Sequence, residues 1–368
     1  MTRPVYIAGS GLLCARGNSP EAVAASLWAG GYEAGKRRVG EREFPYFPLP
    51  STEPDWLKRA EQGVRHVRQQ LGPLPADTPL FIASSSLQIG HFEQQGAPFK
   101  LPAANAEFSR QIARWMRLDG PCASFSSACI SGFSAIEAAR SLIASGQIDE
   151  AIIVGIELAN NVTLAGFAAM ELLSRSVCRP FDARRDGLVL GEAVAAIHLS
   201  ATPAAWRIAG LRTGIDAYST TGPDPDGGPI ANVAVDCLNE ANCLPGDIKL
   251  IKVQAAGSPG TDLAEANALR QVFGQNLPPL LSFKPALGHT LGASGIAELA
   301  TLLACLEADQ IPATAGYGEA DPKIGPIFLV DRASQEVSLG CNNCHIKRAM
   351  LNLIGFGGGL ACMIIERD

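Results

Sequence analysis

Apolar runs of four to eight residues recur along the chain, and each is bounded by glycine, proline or small polar residues. PLFIASSS (79–86), EAIIVGIE (150–157), AVAAIHLS (193–200), IKLIKVQAA (248–256) and ACMIIER (361–367) are too short for buried helices and read as buried strands. Longer stretches such as SGFSAIEAARSLIASG (131–146) and EANALRQVFG (265–274) have helical spacing and composition. Strands that alternate with helices predict an α/β architecture with buried strands. The segment 85–110 reads as irregular, a loop with one short helix, and AYSTTGPDPDGGP (217–229) reads as a turn-rich loop.

Two pairs of segments correspond. Residues 131–148 (SGFSAIEAARSLIASGQI) and 294–311 (SGIAELATLLACLEADQI) have equal length, open on Ser-Gly and close on Gln-Ile. VYIAGSG (5–11) is echoed by WRIAGLRTG (206–214). Ala-rich helices resemble one another by chance, but a duplicated α/β unit explains both pairs at once. The division falls between residues 1–203 and 204–368.

Composition adds bounds. Of 368 residues 47% are hydrophobic and 18% charged, which suits a large core and excludes disorder. A net charge of −6 argues against nucleic acid as a partner, although a local basic patch remains compatible with an acidic one. The N-terminal apolar run is short and broken by glycines, a strand rather than a signal peptide. No apolar run reaches the roughly 18 residues of a membrane span. Ten cysteines without an export signal predict mostly free thiols in a reducing, cytoplasmic setting.

Three segments carry candidate chemistry. In SSACISGFSAIEAAR (126–140), Cys129 lies directly before a helix, where unpaired N–H groups and the helix dipole favour a thiolate with a lowered pKa. In FKPALGHTLGASG (283–295), Lys284 and His289 sit on a Gly-rich loop before the second Ser-Gly helix. An imidazole there can bind a carbonyl oxygen or move a proton. In NLIGFGGGLACMII (352–365), glycines let a main-chain N–H approach a ligand oxygen.

Together these segments resemble the elongating β-ketoacyl synthases of the thiolase superfamily. RPFDARRDGLVLGEA (179–193) and AGFAAMELLS (165–174) extend the likeness nearly end to end. The resemblance implies a thiolase-like fold, two pseudo-duplicated halves in five α-β-α-β-α layers. It implies that Cys129 takes an acyl group from acyl carrier protein as a thioester. The N–H groups of Cys129 and Phe356 would form the oxyanion hole, with Phe356 also a gate. His289 would hold the malonyl thioester carbonyl and the enolate left after CO2 departs. Lys284 would support it and pair with Glu265, beside Asp262, while Phe167, Met170 and Ser258 would contact substrate. The reaction would be a decarboxylative Claisen condensation. No metal or resident cofactor is implied, because phosphopantetheine arrives on the carrier, and a dimer is implied.

The chain departs from the family at one chemically important place. A second histidine is expected in a motif close to N-A-H-G-T-x-T, yet here QAAGSPGTDLAEA (254–266) puts Ala256 in its position. Loss of one preorganised donor costs about 10²–10³ in rate. The chain is also short before Cys129, around 85–110, where the family builds its dimer interface and pocket cap. These features point alternatively to a chain-length-factor-like partner subunit of a ketosynthase heterodimer, in a type II polyketide or aryl polyene system. Such subunits usually lack the cysteine, which is retained here. A degradative thiolase fits less well, since Cys362 falls within a strand pattern. CNNCH (341–345) matches a haem-attachment spelling, but haem attachment needs export, and a single CxxC lacks the second pair of a zinc site.

Overall fold

The computed structural model describes residues 3–96, 101–330 and 346–368, so the CNNCH segment lies outside the described residues. The first half runs β1 (Tyr6–Cys14), α1 (Pro20–Ala29), β2 (Gly35–Val39), β3 (Arg42–Phe47), α2 (Trp56–Gln70), β4 (Leu80–Ala83), α3 (Ile89–Gln95), α4 (Leu101–Met116), β5 (Cys122–Phe125), α5 (Ser131–Ala144), β6 (Glu150–Glu157), α6 (Asn161–Ala169), β7 (Leu190–Gly191) and β8 (Ala193–Ser200). The second runs β9 (Trp206–Ile215), α7 (Gly228–Glu240), β10 (Leu250–Lys252), α8 (Pro259–Phe273), β11 (Leu280–Leu281), α9 (Lys284–Leu287), α10 (Ser294–Glu307), β12 (Arg348–Ile354) and β13 (Gly359–Arg367).

All five apolar runs are strands, and they belong to one ten-stranded sheet of order β11-β10-β12-β13-β9-β1-β8-β6-β4-β5. Its two halves mirror each other. Outward from the centre, β1-β8-β6-β4-β5 has two antiparallel pairings and then two parallel ones. The series β9-β13-β12-β10-β11 repeats that order and those directions. A short antiparallel contact, Tyr6 to Arg207 and Ile7 to Trp206, joins the halves.

Strand alternation sorts the core into layers. In β6, Ile153 faces a central cluster with Phe133 and Ile136 of α5 and Ile296 and Leu299 of α10. Its neighbours Ile152 and Val154 face an outer cluster with Val64 and Val67 of α2 and Phe108 and Ile112 of α4. In β13, Met363 faces the centre, whereas Cys362 and Ile364 face Leu238 of α7 and Leu269 of α8. Strands buried on both faces must be apolar throughout, which is why they read as unbroken runs. The layers are therefore α2/α4, half-sheet, α5/α10, half-sheet, α7/α8.

One expectation needs correction. The 85–110 stretch carries α3 and opens α4, a 16-residue helix. Phe108, Ile112 and Met116, four residues apart, bury its inner face. The 217–227 segment is a loop, as its turn residues predict. Among the described residues no helix is long and apolar enough to cross a membrane, and all eight described cysteines are free.

Candidate active site

Cys129 sits in a 3-10 turn, Ala128–Ile130, between β5 and α5. Ala128 before it has φ +49°, a left-handed conformation that costs a non-glycine residue about 1–3 kcal/mol. Ser131 fixes the turn: its Oγ donates to the Ala128 carbonyl at 2.6 Å and accepts the Ser127 N–H at 2.8 Å. The second half repeats the device, a 3-10 turn Leu291–Ala293 with Leu291 at φ +47°. There Gly292 stands in register with Cys129. A side chain on it would drive into the Ser85 backbone nitrogen at 2.4 Å.

The duplicated turns bring residues of both halves together. His289 Nε2 lies 3.0 Å from Cys129 Sγ, and its Nδ1 lies 3.1 Å from Ser294 Oγ. The Ser294 hydroxyl can accept from or donate to Nδ1, so it supports either imidazole tautomer. Cys129 and His289 are both buried. Burial, and then the Lys284 charge, press the His289 pKa down to about 3, so the ring is neutral at ordinary pH.

The expected thiolate is not favoured. Burial pushes the Cys129 thiol up to about 11, against the lowering influence of the Phe356 N–H and the Lys284 ammonium. A helix end lowers a thiol pKa where the sulfur is partly solvated. For a sulfur this buried, the cost of burying an anion outweighs one helix end. The resting pair is therefore thiol and neutral imidazole.

Lys284 does not take the expected partner. Its ammonium and that of Lys252 both bind the Glu298 carboxylate inside the core. Burial opposes ionisation of Glu298, yet the two cations hold its pKa near 2. Lys252 also donates to the Asn352 carbonyl at 3.0 Å. Glu265 instead accepts the N–H groups of Gln254 and Ala255, each at 2.8 Å. Asp262 accepts those of Phe181, Ala256 and Gly257 at 2.8, 3.2 and 3.1 Å. This acidic pair is backbone scaffolding, and burial raises Glu265 to about 7 and Asp262 to about 6.

A cleft of about 420 Å³, measured out to its open mouth, reaches Cys129 and His289. Gln254, Ala256, Ser258, Leu188 and Phe356 line it, and Thr221–Pro223 of the 217–227 loop form part of its wall. Phe356 follows β12 in a turn whose Gly358, at φ +75°, leaves no space for a side chain beside the Asp216 carbonyl. Its ring packs on Phe167 with centroids 5.3 Å apart. Met170 does not line the cleft; it caps α6 and is exposed. Cys362 lies within β13, buried against the outer helices. Glu298, Lys252 and Gln254 escaped sequence reading. For Glu298 and Lys252 the signal was a lone charge inside an apolar helix or strand, which implies a buried pair, whereas Gln254 carries no such mark.

Comparison with known proteins gives a consistent relation. Residues 81–205 match the family model described as Beta-ketoacyl synthase, N-terminal domain, and residues 206–318 match Beta-ketoacyl synthase, C-terminal domain. The 3-oxoacyl-[acyl-carrier-protein] synthase 2 of Mycobacterium bovis is 34% identical over 248 residues, 63% of this chain and 58% of that protein. The tetracenomycin polyketide synthase ketoacyl synthase alpha subunit of Streptomyces glaucescens is 32% identical over 275 residues, 70% of this chain and 63% of that protein. The chain thus spans about three fifths of these relatives. Among solved structures, a ketosynthase in complex with its chain length factor from Xenorhabdus doucetiae superposes with TM-score 0.82 at 23% identity, covering 100% of this chain and 98% of that one. The ishigamide ketosynthase/chain length factor superposes at 0.84 and 22%, covering both chains fully. At these identities the likeness is one of fold.

Proposed function

The chain belongs to the β-ketoacyl synthase family and has its thiolase-like fold, and on that footing we propose that it accepts an acyl group on Cys129 and condenses it with a malonyl unit. The observation that carries this reading is the 3.0 Å contact between a buried thiol and a neutral imidazole, with the Phe356 N–H bearing on the same sulfur.

The steps follow from those groups. Sγ attacks the thioester carbonyl of an acyl carrier as its proton passes to His289 Nε2. The developing oxyanion meets the N–H groups of Cys129 and Phe356. Collapse expels the carrier thiolate, which recovers the proton, and Cys129 keeps the acyl group. A malonyl thioester then enters on a second carrier. Its carboxylate leaves as CO2, and the electron pair of the broken C–C bond passes into an enolate whose oxygen accepts from His289 Nε2–H. The enolate carbon attacks the acyl-Cys129 carbonyl, and the Cys129 thiolate departs and takes up a proton from water. Burial keeps the His289 ring neutral, and the Lys284 and Lys252 charges add to this against the opposing Glu298 carboxylate. Phosphopantetheine enters as the substrate's arm along the cleft past Ser258, and Phe356 against Phe167 acts as the gate. Carrier protein is the proposed partner.

A second reading, a partner subunit of a ketosynthase heterodimer, rests on Ala256 in the place of an imidazole. Two of the fold neighbours are ketosynthase and chain-length-factor complexes.

Incubation with acyl carrier protein and intact-mass measurement tests the first reading. One acyl mass should appear on wild type and vanish in Cys129→Ala. Absence of any adduct, alone or with a complete ketosynthase, would sink it. Robust release of CO2 from malonyl carrier protein by the isolated chain would sink the second.

A further inference from the structure

The segment that should present the second imidazole is tightly held through its backbone. The N–H groups of residues 254 to 257 are all held by Glu265 and Asp262. Ser282 Oγ donates to the Ala255 carbonyl at 2.7 Å and fixes the same stretch from behind. The side chain at 256 is a methyl that lines the cleft.

In extended chain, residues two apart point the same way. Gln254 lines the cleft with Ala256, Cys129 and His289, and Ala255 between them does not. Gln254 is 4% exposed, and its Oε1 is buried with no hydrogen-bond partner. A buried polar atom without a partner costs a fold stability. In a cleft beside reacting groups, a catalytic role is one explanation for such an atom. A half-turn of the carboxamide exchanges its carbonyl and NH2, so it offers a donor to whatever enters. With a methyl at 256, the longest side chain on this stretch of the cleft wall is that of Gln254.

We propose that the Gln254 side-chain amide is the second hydrogen-bond donor to the thioester oxygen of the malonyl unit, acting beside His289 where the imidazole at position 256 is missing. This rests on the condensing reading above. In the decarboxylation, negative charge develops on that oxygen as the C–C bond to the carboxylate breaks. A neutral NH2 and a neutral imidazole N–H would share it, with no proton transferred.

The test compares wild type, Gln254→Leu, and Gln254→Leu with Ala256→His. Three quantities are read for each: CO2 release from malonyl carrier protein, acyl mass on Cys129, and thermal midpoint. Gln254→Leu should lower decarboxylation about 10²–10³-fold, the usual loss for one such donor. Acylation of Cys129 should fall far less. The midpoint should stay or rise, because an apolar group replaces an unpartnered polar one. The added histidine should restore decarboxylation toward wild type. Undiminished CO2 release in Gln254→Leu overturns the proposal, and so does a falling midpoint with both steps lost together, which would mark a structural residue. Wild type that acylates Cys129 without releasing CO2 overturns it and leaves acyl transfer standing. Wild type that does not acylate Cys129 at all overturns the underlying reading as well.

Discussion

Cys129 has for neighbours a neutral imidazole, the Phe356 N–H and, acting on it by charge alone, Lys284. With the thiol pushed up to about 11, alkylation by iodoacetamide should quicken with pH across the whole alkaline range. A rate plateau below pH 9, followed by the mass of the modified Cys129 peptide, would show a stabilised thiolate and refute this reading. His289 gives a second pH signature. Its folded pKa is lowered from 6.5 to about 3, so folding favours the neutral ring. The associated stability is present above pH 6.5 and is lost as pH falls from there toward 3. Asp262 and Glu265 run the other way, since their raised values lose stability as pH rises through about 6 and 7. The comparison must therefore be a difference: wild type should lose more thermal midpoint than His289→Asn between pH 6.5 and 4. Parallel curves would contradict a buried neutral His289. At this scale the reacting pair was legible, because Cys129 and His289 each stand before a Ser-Gly helix. The partner of Lys284 was harder to foresee, because its pairing with one buried carboxylate or another needs the fold to decide it.

The Ser-Gly that opens α5 and α10 has a packing purpose as well as a chemical one. A side chain on Gly132 would approach Gly295 and Ile296 at 3.2 Å, and one on Gly295 would meet Phe133 at 2.8 Å and Leu353 at 3.1 Å. The two helices cross at these glycines, so the repeat seen in the sequence is a close helix contact in the fold. Gly295→Ala should overpack it and cost about 1–3 kcal/mol. Gly166→Ala in α6, where a new methyl meets nothing within 4 Å, should be neutral or stabilising by up to about 1 kcal/mol. Urea midpoints of the two variants check the contrast, and equal shifts would deny the crossing. Strands were the more legible elements, since burial on both faces leaves an unbroken apolar run. Helix α4 was obscured because its exposed face carries Glu107, Arg110 and Arg114, whose ion pairs lie on the surface and dilute the apolar period.

The duplicated halves look like two domains on paper, but the core they share argues otherwise. Every residue of α10 from Ser294 to Leu306 is buried, a pattern no helix on the face of an isolated unit can keep. Its apolar surround comes largely from the first half: Phe133 and Ile136 of α5, Ile153 of β6 and Ala195 and Ile197 of β8. Glu157 at the end of β6 accepts the Gly292 N–H at 3.0 Å, so the turn beside the site is also tied across the seam. The reacting groups are divided in the same way, Cys129 on one side and His289 and Phe356 on the other. We take the division at 203/204 as the junction of two repeats, with one cooperative unit across it. Residues 1–203 and 204–368 expressed separately should then give no cooperative thermal transition, because each would expose the face that the other covers. Expressed together from two cistrons, they should associate and recover acylation of Cys129, since short β1–β9 pairing and the α5/α10 contact do not need the covalent link. A sharp transition from 204–368 alone would show an independent domain and remove the basis for treating the site as a property of the whole chain.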